Sequence, residues 1–279
     1  NVKVEIESYK VNEIGGVFGS ASSSNVTDIN CNLYMVINLE ATLNNHLVGG
    51  FAGKFNTANA SQVNITTNIE IMALGNDNSS INFGGFAGEV SSCEEINNAS
   101  VNMEATTAEK IIVNNFGGFV AQLDDANIKN SSANISANLY NAKLVGGFIA
   151  NATNSMGECY ITNCGVNGSL EISKSDSQAN IGGFVGQINT TTINRCFTLL
   201  SIQSNAAKIV GGFAQKATKS VITNSYTASK LDVDNVNSVS GFVANSDDAS
   251  TYEKCFSVST ILTNSYENAY GFANSANCT

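Results

Sequence analysis

Gly182-Gly183-Phe184-Val185-Gly186 is one instance of a phrase that recurs along the whole chain: two glycines, a phenylalanine, then a small or aliphatic residue. The others are Gly49-Gly50-Phe51-Ala52-Gly53, Gly84-Gly85-Phe86-Ala87-Gly88, Gly117-Gly118-Phe119-Val120, Gly146-Gly147-Phe148-Ile149 and Gly211-Gly212-Phe213-Ala214, thinning to Gly241-Phe242-Val243 and Gly271-Phe272-Ala273. Gly15-Gly16-Val17-Phe18-Gly19 opens the series in a variant form. From Phe51 onward the phenylalanines lie 35, 33, 29, 36, 29, 29 and 30 residues apart. A recurrence near 30 residues marks a stack of repeats, each burying its apolar face against its neighbours.

A second column follows the first. An apolar residue leads into Asn, Ser or Cys at Ile96-Asn97-Asn98, Ile128-Lys129-Asn130-Ser131, Ile193-Asn194-Arg195-Cys196, Ile222-Thr223-Asn224-Ser225 and Tyr252-Glu253-Lys254-Cys255. In two repeats the landmark is expected late, at Ile65 and at Ile161-Thr162-Asn163-Cys164. From landmark to the next phenylalanine the count is then 20 to 23 residues. Length changes are therefore expected between phenylalanine and landmark, in one corner loop. An extra residue inside a paired wall would turn the following side chains to the wrong face.

Between these landmarks the apolar residues alternate: Val2, Val4 and Ile6; Cys31, Leu33, Met35, Ile37 and Leu39; Val63 and Ile65, then, after a shift, Ile69 and Ile71; Leu170 and Ile172; Leu231 and Val233. Short β-branched runs bounded by Asn, Ser, Gly and Asp read as strand and turn, and no helical stripe is present. The expected fold is all-β: a parallel β-helix (β-solenoid) of about nine coils of roughly 30 residues, three short strands per coil, in a single domain over residues 1–279. Phe51, Phe86, Phe119, Phe148, Phe184, Phe213, Phe242 and Phe272 are expected to form an internal structural ladder, roughly 35 to 40 Å long at about 4.8 Å per coil. The adjoining glycines are expected to adopt positive φ and to admit a close backbone approach.

Composition narrows the function. Charged residues are 13% of the chain and apolar residues 43%, with polarity carried by 41 Asn together with Ser and Thr. Proline is absent, as suits walls whose every N–H is used in pairing. A net charge of −10, with 13 basic residues scattered singly, disfavours nucleic acid or an anionic membrane as partner. No apolar run is long enough to form a transmembrane segment. The first residues read as the closing half of a coil and the last as the opening half of another. The chain is thus expected to be either an excerpt of a longer array or a subunit that associates with itself head-to-tail.

Gly-Gly-Phe-Val-Gly at 182–186 followed by Ile193, and Gly211-Gly212-Phe213 followed by Ile222-Thr223-Asn224-Ser225-Tyr226, resemble GLUG-type repeats, with Phe in place of the usual Leu. The likeness runs from Gly15 to the end. It implies a β-solenoid of right-handed coil in a microbial surface protein or adhesin, and it transfers no catalytic residue.

Chemistry beyond the scaffold is sparse. One histidine, His46, excludes multi-histidine sites and reads as a surface or turn residue. Asp124-Asp125 and Asp247-Asp248 lack calcium-loop spacing and read as solvated loop charges. The glycine pairs carry no phosphate-loop Lys. Cys164, Cys196 and Cys255 share a repeat position with Ser131 and Ser225, and read as small core fillers rather than bridges. Catalytic residues, metal ligands and cofactors are thus expected to be none, and the chain is expected not to be an enzyme. Sequons mark possible N-glycosylation at Asn25, Asn59, Asn64, Asn78, Asn98, Asn130, Asn134, Asn151, Asn167 and Asn189, with an eleventh at Asn277. The function expected is an extracellular or cell-surface structural or adhesive one: a stalk, coat or filament subunit whose outer walls meet itself or a carbohydrate ligand. The alternative is a carbohydrate-binding or polysaccharide-degrading β-helix.

Overall fold

The structure is a computed structural model and describes residues 2–8, 11–40, 45–74, 78–155, 157, 159–174, 178–265, 268–273 and 277–278. Every strand pairing within it is parallel and joins a residue to its counterpart one coil away, as in Asn102 to Asn134 to Asn167 to Leu199. The chain is an all-β parallel β-solenoid of about eight turns of roughly 32 residues. Nine copies of the glycine phrase delimit eight intervals, which is why the count of turns is one below the count of phrases.

One coil shows the plan. An approach strand, Ile111–Gly117, leads to the bend at Gly118 and Phe119; a Phe strand, Val120–Asp124, leaves it. A two-residue strand, Ile128–Lys129, follows, and then a long wall, Ser132–Gly146, which here runs on into the next approach strand. Each turn therefore has four segments rather than three. The Phe strands form their own sheet of eight, and the other walls are joined in a second sheet.

The inner parity of each wall makes the core. Leu33, Met35, Ile37 and Leu39 are buried on the first long wall, and Ile65, Thr67, Ile69 and Ile71 on the second. The shift expected after Ile65 does not occur: Thr67, 3% exposed, occupies an inward position and keeps the alternation whole. Ile65 is also not the late landmark. It pairs with Val101 on the long wall, while Ala60 pairs with Ile96 and takes the landmark position. The count from landmark to phenylalanine then runs from 20 residues (Ile128 to Phe148) to 26 (Ala60 to Phe86). Length variation thus falls mostly between long wall and approach strand, not where the sequence pattern put it. Of the corners after the Phe strand, the one between Phe148 and Ile161 is enlarged. Single extra residues are absorbed by register shifts, one of them at Asn114 between Val113 and Asn115.

Phe51, Phe86, Phe119, Phe148, Phe184, Phe213 and Phe242 are fully buried, and Phe272 is half-buried. Successive centroids from Phe86 to Phe272 are 4.7 to 5.1 Å apart with ring planes within 16° of parallel. That spacing matches the separation of hydrogen-bonded strands, so the rings inherit their stacking from the backbone. Each Phe carbonyl accepts two N–H donors from the preceding coil: Phe86 O from Phe51 N and Ala52 N, both at 3.0 Å. In the first coil Val17 holds the ladder position, because Phe18 pairs with Ala52. Phe18 instead meets Phe51 edge-on, centroids 5.3 Å apart and planes at 86°.

The glycine pairs do not adopt positive φ; among the described glycines only Gly168, on a long wall, does. Their role is steric. A Cβ on Gly146 would collide with the carbonyl oxygen of Ile149, and one on Gly147 with the carbonyl oxygen of Gly183 in the next coil. Left-handed turns are made elsewhere by other residues: Asp28, Gln62, Asn98, Asn130, Asn163, Arg195, Asn224 and Lys254 form one vertical column of φ between 49° and 56°, and Ser23, Thr57, Ser92, Asp125, Thr190 and Lys219 recur at the corner after the Phe strand.

Candidate functional site

The outer parity of the long walls builds a polar face. Asn32, Thr66, Asn102, Asn134 and Asn167 stand in register, and beside them Tyr34, Asn68, Glu104, Ser136 and Ser169. These groups bond across coils: Asn134 Nδ2 donates to Asn102 Oδ1 at 2.8 Å, Asn68 Nδ2 to Glu104 Oε2 at 3.2 Å, and Tyr34 OH to Glu70 Oε1 at 3.0 Å. Further along the stack the same face turns apolar. The rings of Phe197, Tyr226 and Phe256 lie 5.7 and 5.1 Å apart, and Leu199 and Val258 are exposed beside them.

A second surface feature lies beside the Gly-Gly-Phe bend. On one side is the outward column of the approach strands, Glu13, Leu47, Asn82 and Asn115. On the other is that of the Phe strands, Lys54, Glu89 and Gln122. Members of both columns, joined by Asn12, Asn45 and Asn114, line a single furrow of about 460 Å³. The two strands converge tightly: a Cβ on Gly88 would lie 2.7 Å from Val48 N and 2.9 Å from the Leu47 carbonyl carbon. Glycine at that position is what lets the strands meet. Inside the furrow Asn115 Nδ2 donates to Asn82 Oδ1 at 2.7 Å, and Asn114 Nδ2 to Asn45 Oδ1 at 2.6 Å. Lys54 neutralises Glu89 at 2.9 Å. The expectation that the outer walls meet the partner does not contain this concavity, because it arises from the angle between two strands.

The nominated residues fall in several places. Asn25, Asn64, Asn78, Asn98, Asn130, Asn134, Asn167 and Asn189 are exposed, while Asn59 and Asn151 are half-buried. Four of these amides already donate to the preceding coil: Asn59 to Asn25, Asn64 to Asn30, Asn130 to Asn97 and Asn134 to Asn102. The side chain of Asn277 lies outside the description.

His46 is 1% exposed, on a strand rather than at the surface. Its Nδ1 lies 2.6 Å from the Val11 carbonyl oxygen, which can only accept, so Nδ1 carries the proton. Asp124 accepts hydrogen bonds from the hydroxyls of Thr153 and Ser155, and Asp125 from the backbone N–H groups of Ser155 and Gly157. Asp247 accepts from the Ser250 hydroxyl at 2.6 Å and from Lys219 N; the Ser250 bond leads in holding its carboxyl below the usual range. These aspartates pin corners.

The described cysteines Cys31, Cys93, Cys159, Cys164, Cys196 and Cys255 are free thiols. Cys196 Sγ donates to Asn194 O two residues back, as Ser225 Oγ does to Thr223 O in the next coil. The two residue types therefore perform one corner task. Burial pushes the Cys93 and Cys159 thiols up to about 11. Among the described residues no helix is long and apolar enough to cross a membrane. No family model and no curated protein matches the chain.

Proposed function

We propose that the chain is a stiff structural or adhesive segment of an extracellular surface protein, a stalk, coat or filament unit of the GLUG-repeat kind. The observation that carries this reading is the continuous stack of aromatic rings inside a parallel ladder. It commits the backbone of each coil to its neighbours and gives one long axis with side chains free to vary on its outside. A surface rich in amides and hydroxyls and poor in charge suits contact with hydrated, uncharged material. Coaxial association with a further coil, from a second copy of the chain, would extend the same hydrogen-bond pattern; sedimentation velocity at increasing concentration would then show growing species. The main test is antibody labelling of intact source cells. Labelling without permeabilisation is the expected result, and labelling only after permeabilisation overturns the proposal.

A further inference from the structure

We propose that the furrow beside the Gly-Gly-Phe bend binds a linear, uncharged glycan. The inference rests on the reading of the chain as an exposed adhesive solenoid, and it identifies which surface adheres and to what class of ligand.

Three observations converge on that ligand. The first is the state of the Asn82 amide. It is only 5% exposed, its Oδ1 is taken by Asn115, and it lines the cavity. An amide that accepts through its Oδ1 still carries two N–H hydrogens to donate, and a hydroxyl lying in the furrow can accept from them. Asn115, held by the same bond, presents its Oδ1 one coil further on. Together they offer a donor and an acceptor, the pair that vicinal sugar hydroxyls match.

The second is repetition. Asn82 and Asn115 are in register on one side, and Glu89 and Gln122 on the other. Polar groups therefore recur at the interstrand spacing of about 4.8 Å. A pyranose unit in an extended chain advances by a comparable length, so successive units meet successive rungs.

The third is what the furrow refuses. An extended peptide binds a sheet through unpaired backbone groups, and here those are already used: Gly50 N donates to Gly84 O, and Gly85 N to Gly117 O. An acidic glycan would meet the Glu13 carboxylate in the lining and a chain of net charge −10. A neutral, hydroxyl-rich polymer faces neither obstacle.

The test is titration of the 15N-labelled chain with cellohexaose, laminarihexaose and, as acidic comparator, hexagalacturonate. At least one neutral hexasaccharide is expected to bind and to shift the side-chain amide signals of Asn82 and Asn115. Gln122→Ala and Asn115→Leu should each weaken that binding about tenfold, the worth of one or two amide hydrogen bonds. Thr251→Ala, exposed on the strand Thr251–Glu253 away from the furrow, should leave it unchanged. Gln122 is half-buried at the rim, so its variant keeps the test valid if Asn115→Leu does not fold. Absence of binding by both neutral sugars up to about 1 mM, preference for hexagalacturonate, or binding insensitive to Gln122→Ala would each overturn the inference. Failure here with intact-cell labelling preserved removes the glycan site alone; glycan binding without surface labelling removes the surface-protein reading alone.

Discussion

Two corners of each turn solve the same problem by opposite means. At the Gly-Gly-Phe bend the backbone keeps ordinary φ and needs the absence of side chains, since a Cβ on Gly147 would strike the neighbouring coil's Gly183 carbonyl. At the corner between short strand and long wall the backbone adopts left-handed φ, yet it carries Gln62, Arg195 and Lys254. The first is a packing constraint between coils. The second is a conformational cost within one residue, about 1 to 2 kcal/mol for a side chain other than Gly, Asn or Asp. Glycine marks where chains touch, whereas the left-handed turns are marked by no single residue type: Asp28, Gln62, Arg195 and Lys254 share one column with four asparagines.

The comparison breaks most severely at Gly147→Val. The added side chain would have to displace backbone in the adjacent coil, and a loss of at least about 4 kcal/mol in denaturant unfolding is expected. A loss no larger than that of a corner serine variant would refute the packing account. Phe148→Ala should cost about 3 to 5 kcal/mol by opening a cavity in the ring stack; Phe272→Ala, half-buried, should cost less.

The small-residue columns at the corners allow a test by pH. Because burial raises the Cys93 and Cys159 thiols from 9.0 to about 11, their contribution to stability is intact below the unfolded value and is lost as pH rises from about 9 through 11. Thermal melts in that window should fall more steeply for the parent chain than for Cys159→Ala. Equal slopes would show that the thiol is not desolvated.

Ser225→Ala should cost about 1 to 3 kcal/mol, because the Cys196 N–H that donates to Ser225 Oγ at 3.0 Å is left buried without a partner. The smallest effect runs the other way. Arg195→Asn is expected to stabilise by a few tenths to about 1 kcal/mol, relieving left-handed strain between Asn163 and Asn224 in the corner column. A loss of stability there would mean that Arg195 contributes a contact outweighing its φ.

Much of the fold was legible because stacking makes each coil answer to its neighbours: one side chain that fits must recur at the same place in the next. Phe and Gly recur visibly for this reason. The landmark at Ala60 was hidden because alanine fills that place without announcing it, and Ile65 lay close by with the expected chemistry. Thr67 concealed the alternation in the same way, by being polar in type and buried in fact.

From the order of amino acids alone came the period, the inward parity and the all-β character, since each depends on residue type at regular spacing. The furrow, the burial of His46, the amides bonded from coil to coil and the left-handed column lacking glycine came only with the tertiary structure. Those features depend on the angle at which two strands meet and on which side chains that angle brings together, and neither is written in the spacing of residues along one chain.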